Sequence, residues 1–493
     1  MPITLAELFA GIDCHGLETE HQAIVIRSIV TDSRQANPGS LFVALGGQNT
    51  HGILFTADAL ARGAVAILAS EAPLNSLGTR LNHMAWITTS HPRTILSELA
   101  QRLYGFPAKR LRLHGVTGTN GKTTTVYMLN HILKSVDSST AIWSTNSVEG
   151  IPDPFRPHMT TPDAPELHRF LKDAIDHGAR DVIMEVSSHA LAIGRIDGLR
   201  FETGAITNIT PDHLDFHGSY ANYREAKASF MRYISPTGFT ALNADDGEVV
   251  KLAKNAPVSV TLFGFAENAD VRAQILELGI GFSRWEWWRN GQYQAEVRLP
   301  IPGQHNIANA LAALSMATHL GIDPEQASRS LQAFVPAPRR LETMQIGDVT
   351  IISDVAMNRA SYDAVMQSVE LMGRPFVVVN AIRGNRGVRI NEDIANILAD
   401  WNDRLGFAPV VLTLSQSILS RLTVDYRVRS EEVEAFLVAA DKRKMALTLY
   451  DELPDAIAKA SARLAPGHIL LLLGTFGMDD GLDLVKSQIL RLR

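Results

Sequence analysis

His114-Gly115-Val116-Thr117-Gly118-Thr119-Asn120-Gly121-Lys122-Thr123-Thr124-Thr125 separates two contrasting patterns. Before it, Leu111, Leu113 and Val116 read as a buried strand; after it, Val126, Leu129, Ile132 and Leu133 fall at helical spacing. A glycine-rich turn that ends a strand and opens a helix is suited to phosphate. Gly118 and Gly121 let backbone N–H groups approach phosphate oxygens, and the helix N-terminus adds partial positive charge. Thr119, Asn120 and Thr124 fill out the cradle, Lys122 can reach the outer phosphates, and the Thr123 hydroxyl can hold Mg²⁺. Val116 stands where the strict G-x-x-x-x-G-K-[ST] pattern has its first glycine. Unliganded glycine turns are common, but a following Lys and threonine run point to a nucleoside triphosphate.

The chain has 493 residues, 46% hydrophobic and 20% charged, which is enough for about three domains. A net charge of −6 provides no general basic field, so nucleic acid and anionic membrane are not expected partners. Cys14 is the only cysteine, which excludes an internal disulfide framework and suits a reducing, cytoplasmic setting. Apolar runs at Ile24 to Val30, Phe42 to Leu45, Val182 to Val186, Phe376 to Val379 and Ile469 to Leu473 alternate with helical patterns, which argues α/β. Proline and glycine punctuation at Tyr104 to Pro107 and Val335 to Pro338 predicts boundaries near 107 and 337. Trp285, Trp287 and Trp288 before Asn290-Gly291 predict a hairpin with an aromatic packing face.

Further chemistry lies along the middle of the chain. Glu185 closes the apolar run Ile183 to Val186, a position from which it could reach a metal at the carboxyl end of a parallel sheet; an acid there is equally often a helix cap. His213 follows another strand-like run, in a stretch rich in ionisable groups, and is placed to be a second metal ligand. A helix is expected over Tyr220 to Ile234, with Tyr223, Ala226, Phe230 and Ile234 on one apolar stripe and Lys227 inside it. Lys227 either snorkels to solvent or is buried, and a buried neutral amine can add CO₂ to become a carbamate. Asn306 sits near the start of a helix whose stripe is Ile307, Ala310, Leu311 and Leu314, where it can cap the helix or bond a purine edge.

Together these segments resemble the Mur ligase superfamily, most closely its MurE type, which joins amino acids to UDP-N-acetylmuramoyl peptides in peptidoglycan biosynthesis. The likeness covers roughly the first two-thirds of the chain: Thr31 to Arg34 and Pro38 to Leu45, Thr160 to Ala164, Glu185 to His189, Asn208 to His217, Lys227, and Pro302 to Asn309. The resemblance implies a three-domain α/β architecture. Residues 1–107 would bind the UDP-sugar, 108–337 would form a central P-loop ATPase-like domain, and 338–493 a C-terminal Rossmann-like domain for the amino acid. It further implies that Thr123 and Glu185 hold one Mg²⁺ while His213 and carbamylated Lys227 support another. Asn306, Arg340 and Asp354 would join the loop in binding ATP, and Ser33, Thr160, Thr161, Ser187 and Arg195 would meet the UDP-sugar.

The last third departs from that pattern. The family's D-Y-A-H-T-P-D becomes Asp354 to Ala360, with Met357, Asn358 and Arg359 replacing His-Thr-Pro; the D-N-P-R signature that reads diaminopimelate in the family is absent, with Leu414 to Ser417 near its place. Ile382 to Arg389 replaces G-D-R-D-K-G-K-R, and Gly474 to Asp479 replaces G-K-G-H-E. Arg383, Arg386 and Arg389 form either an anion clamp or a solvated loop. The resemblance implies an ATP-dependent, ADP-forming ligase acting through an acyl phosphate. A pseudo-ligase with a regulatory role, and a ligase for a secondary metabolite or storage peptide, are the alternatives.

Overall fold

A computed structural model describes residues 2–47, 50–73, 84–407, 409–422 and 425–491. Contacts group the chain into two compact units: Met1–Gly118, Leu133–Leu242 and Glu248–Thr261 form the first, and Thr119–Ile132, Asn243–Gly247 and Leu262–Arg493 the second.

The first unit opens with a parallel sheet of β1 (Ser28–Val30), β2 (Ser40–Val43), β3 (Ala64–Ala69) and β4 (Ala85–Thr88), paired in chain order. Strand β3 is apolar throughout, as a parallel strand covered on both faces requires. Helix α1 (Pro92–Leu103) starts on a proline, whose missing N–H costs nothing at that position, and buries Leu96, Leu99, Ala100 and Leu103 against one face.

A second parallel sheet follows. Strand β5 (Arg112–Thr117) runs into the glycine loop and helix α2 (Lys122–Ser135); then come β6 (Thr140–Trp143), α3 (Ala164–Asp176), β7 (Asp181–Glu185), α4 (Ser188–Ala192) and β8 (Phe201–Ile206). The short α5 (Leu214–His217), α6 (Tyr220–Ala228) and β9 (Ile234–Asn243) complete it, with strand order β9-β8-β5-β7-β6. The glycine loop therefore leaves the middle strand at its carboxyl end, where open α/β sheets bind ligands. Register sets Glu185 opposite Val116 and Ile206 opposite Thr117. Beneath them the buried His114 ring bonds Asp181 on one neighbouring strand and Thr203 on the other, each at 2.9 Å, tying three strands together.

The helix expected over Tyr220 to Ile234 is shorter than its stripe. It ends at Ala228, Ser229–Tyr233 tightens into a 3₁₀ turn, and Ile234 begins β9. The Ser229 hydroxyl donates to the Ala226 carbonyl, a local bond that competes with helix continuation. The stripe still marks the inward side: Tyr223, Phe230 and Ile234 are buried with Lys227 among them, while Ala226 is half-buried.

In the second unit, β10 (Val271–Gly279), β11 (Phe282–Arg289) and β12 (Gln292–Leu299) form an antiparallel meander. Asn290 and Gly291 both take positive φ, the geometry of a tight hairpin turn, and Trp285 and Trp287 are fully buried as the packing face. Helix α7 (Gln304–His319) is capped by Gly303 and not by Asn306, which lies one turn in. The terminal sheet comprises β13 (Glu342–Ile346), β14 (Val349–Asp354), β15 (Phe376–Ala381), β16 (Val410–Thr413), β17 (Leu447–Tyr450) and β18 (Ile469–Leu473). Its order is β13-β14-β18-β15-β16-β17, and every pairing but that of β13 is parallel. Helices α8 (Arg359–Met372), α9 (Val388–Leu405) and α10 (Ser430–Lys442) cover one face; α11 (Leu453–Ser461) and α12 (Gly481–Arg491) cover the other. This is the doubly wound, Rossmann-like plan. Among the described residues, no helix is long and apolar enough to cross a membrane.

On α3 the ring of His168 is fully buried with neither nitrogen hydrogen-bonded, and burial pushes its pKa down to about 4. The unfolded chain therefore binds more protons between pH 6.5 and 4, so this residue lowers stability as pH falls through that window. His168→Leu removes the effect. Its stability advantage over the parent should grow on acidification, by roughly 3 kcal/mol at pH 4; a constant difference in denaturant midpoint across the window would contradict it.

Candidate active site

The glycine loop owes its shape to two residues without side chains. Gly118 has φ 148° and Gly121 φ 88°, backbone regions that L side chains rarely occupy. A Cβ on Gly118 would lie 1.9 Å from the Thr207 hydroxyl oxygen, and one on Gly121 would lie 2.3 Å from Asn309 Oδ1. Both glycines are fixed by conformation and by space.

In the second unit, Lys122 Nζ donates to the Thr119 carbonyl at 3.0 Å, which folds the lysine back over its own loop. Thr123 and Thr124 are buried, and Arg340 donates to the Thr123 hydroxyl at 3.3 Å. Asn306 is buried, with its amide on the Pro302 carbonyl at 2.8 Å, so it braces the turn into α7 from within. Arg339 and Leu341 both take left-handed conformations near φ 50–60°. Asp354 steadies this strained segment by accepting from the Leu341 N–H at 2.8 Å. Burial pushes the Asp354 carboxyl up to about 6, against the pull of Arg340, the Leu341 N–H and Arg339.

In the first unit, Glu185 is buried at the end of β7. Its carboxylate accepts from the Thr145 N–H at 2.7 Å and the Thr145 hydroxyl at 3.1 Å. Lys227 is also buried, its Nζ 2.6 Å from the Gly118 carbonyl and 4.9 Å from the Tyr223 ring centre. The anomalous cation of the sequence thus points to the root of the glycine loop and does not snorkel outward. His213, in a left-handed conformation at the start of α5, packs its ring 4.8 Å from that of His189. Burial, then the neighbouring His213 and His217, push His189 down to about 4 and keep it neutral. A buried carboxylate such as Glu185 is an oxygen donor of the type that Mg²⁺ takes.

Most of the residues that the resemblance assigns to the UDP-sugar are tied together by hydrogen bonds around Thr161 and Thr145. The buried Thr161 hydroxyl donates to the Glu185 carbonyl and accepts from the Ser187 N–H, while the Thr161 carbonyl takes a bond from Arg195 at 2.9 Å. Arg195 pairs with Asp163 at 2.6 Å, and Asp163 accepts from Thr31 at 3.4 Å. Thr160 meets Thr145 at 3.0 Å. Ser33 lies at the head of a 3₁₀ turn capped by Asp32. Thr145, which orients Glu185, Thr207, which crowds Gly118, and Asn309, which crowds Gly121, are not singled out by the sequence. Each is recognisable only by what it faces across the fold.

Two family models match the chain: the Mur ligase family catalytic domain over residues 25–104 and the Mur ligase middle domain over 116–317. A relative from Chlorobaculum tepidum, a UDP-N-acetylmuramoyl-L-alanyl-D-glutamate–2,6-diaminopimelate ligase, is 31% identical over 91% of this chain and 87% of its own. This chain belongs to the Mur ligase family. A UDP-N-acetylmuramyl-tripeptide synthetase from Deinococcus radiodurans is 30% identical over 97% of this chain and 95% of its own. Among solved structures, a MurF from Acinetobacter baumannii superposes with a TM-score of 0.69 at 22% identity, covering 99% and 98% of the two chains. Thermotoga maritima MurF, solved with ADP, gives 0.65 at 19% identity over 95% and 99%. The multi-domain α/β Mur ligase fold, nucleotide binding and ATP-dependent, ADP-forming ligase chemistry are thereby assigned.

Two outcomes follow from the geometry. Gly118→Ala and Gly121→Ala should each weaken ADP binding by at least about tenfold, read by calorimetry, because a Cβ displaces the loop backbone; affinity within twofold of the parent would contradict this. Asp354 favours its neutral form in the fold, so its contribution to stability falls as pH rises from about 4 to about 6. Asp354→Asn should gain on the parent across that window by roughly 3 kcal/mol at most, a trend that denaturant midpoints at both ends would reveal.

Proposed function

We propose that the chain joins an amino acid to the free carboxylate of a UDP-N-acetylmuramoyl peptide, in the cytoplasm, at the cost of one ATP. The observation that carries this reading is the pairing of a glycine-shaped phosphate loop with full-length similarity to tripeptide-forming ligases. The substrate carboxylate attacks the terminal phosphorus of ATP, giving an acyl phosphate and ADP; the amine then attacks the acyl carbon and phosphate leaves. Lys122 and the loop N–H groups neutralise charge that grows on the triphosphate. Thr123, Glu185, His213 and a carbamylated Lys227 would hold Mg²⁺, which would supply electrophilic charge to the phosphates. Asn306, Arg340 and Asp354 complete the ATP set, and Ser33, Thr160, Thr161, Ser187 and Arg195 the UDP-sugar set. The partition into residues 1–107, 108–337 and 338–493 assigns these roles to three domains.

The amino acid is proposed to be one other than diaminopimelate. Near the place of the family's D-N-P-R, Ser415 takes a left-handed conformation and the Ser417 N–H and hydroxyl both donate to the Glu452 carboxylate. A carboxylate there repels the second carboxylate that a guanidinium would attract.

Incubation with ATP, UDP-N-acetylmuramoyl dipeptide and pooled amino acids, followed by product mass, tests the reading. One residue should be added, with ADP and phosphate released only when acceptor and amine are both present. Addition of diaminopimelate alone would overturn the specificity, and nucleotide binding without turnover on any amino acid would favour a regulatory pseudo-ligase. Intact mass under CO₂ should show one added carboxyl group, abolished by Lys227→Ala; an unmodified native side chain rejects the carbamate.

A further inference from the structure

Asn358 stands where the family motif has threonine, among the departures that set the last third of the chain apart. It is the N-cap of α8: its Oδ1 accepts from the Ser361 N–H at 3.0 Å, and the Asn358 N–H donates to the Ser361 hydroxyl oxygen at 3.0 Å. That cap fixes which way the amide faces. The same Oδ1 accepts from Asn120 Nδ2 at 3.2 Å, and Asn358 Nδ2 donates to Asn120 Oδ1 at 3.3 Å. The two carboxamides thus form a reciprocal pair across 238 positions of sequence, and one of them belongs to the glycine loop.

The pair is supported from behind. Arg383 donates to the carbonyl of Met357, the residue before Asn358, at 3.0 Å. The buried Asn391 in turn grips Arg383 at both its N–H, 3.0 Å, and its carbonyl, 2.8 Å. One hydrogen-bonded chain therefore leads from Asn391 through Arg383, Met357 and Asn358 to Asn120. The first arginine of the divergent loop acts as a brace in this chain. Side-chain amides in such a chain restrict each other's rotamers, so the order of α8's first turn is passed to Asn120.

We propose that Asn358 is a positioning residue for nucleotide binding: its amide pair with Asn120 holds the glycine loop in the conformation that receives the phosphates. This rests on the assignment of that loop to ATP. Asn358→Ser separates the two roles of the residue, since a serine hydroxyl still caps α8 but is too short to reach Asn120.

Calorimetry with Mg-ADP on the full chain, together with steady-state kinetics in ATP, tests the proposal. Asn358→Ser should raise the ADP dissociation constant and the KM for ATP about tenfold, the scale of two neutral hydrogen bonds, while kcat at saturating ATP stays within about twofold. The melting temperature should remain that of the parent, and in an Asn120→Ala background the Asn358→Ser change should have no additional effect. An ADP affinity within twofold of the parent, or effects of the two substitutions that multiply, would overturn the pairing. Failure of the parent itself to bind Mg-ADP would overturn the nucleotide assignment beneath it, a result distinct from the other two.

Discussion

A triphosphate gripped by backbone N–H groups can be held only by a backbone already bent the right way, and in this chain that bend depends on two missing Cβ atoms. Gly118 and Gly121 take φ values closed to other residues, and each abuts a polar side chain that leaves no space for a methyl group. The parallel sheet exists, in functional terms, to present this turn. Strand β5 occupies the middle of the order β9-β8-β5-β7-β6, and the His114 bonds to Asp181 and Thr203 keep its neighbours in register. The loop therefore emerges from a strand that is paired on both sides.

Within each unit, side chains brace the part of the loop that the unit contains. In the first unit, Lys227 reaches the Gly118 carbonyl, and Glu185 is oriented by Thr145 while its own carbonyl anchors Thr161. Thr161 then organises Ser187 and Arg195, so one threonine at the start of the segment before α3 aligns most of the proposed sugar contacts. In the second unit the support comes from one residue that departs from the family pattern and one that keeps it. Asn358 pairs with Asn120, and Asp354 holds a strained segment in which Arg339 and Leu341 are left-handed. Divergence has altered the residues expected to choose the amino acid while leaving a hydrogen-bonded route to the nucleotide loop.

Much of this was legible in the sequence because it is local. The strand-loop-helix pattern, the Asn290-Gly291 hairpin with its tryptophan face and the run Ile469 to Leu473 each follow from a period or a turn chemistry confined to a dozen residues. The place of Lys227 in an apolar stripe left burial and snorkelling open, and the fold decides for burial. The end of α6 was not legible, because the same stripe continues through a 3₁₀ turn into a strand, and periodicity alone cannot mark that change. Nor could the sequence announce Thr145, Thr207, Asn309 or Asn358. Their importance lies in bonds or contacts to residues 40 to 238 positions away, and an isolated Thr or Asn carries no sign of its distant partner.

On this reading the glycine loop delivers the terminal phosphoryl group of ATP to a carboxylate oxygen. Turnover with an acceptor whose reacting carboxylate carries heavy oxygen tests it most directly, by mass analysis of the phosphate released. Transfer of one labelled oxygen from carboxylate to inorganic phosphate is the predicted result. Unlabelled phosphate accompanying amide formation would contradict it.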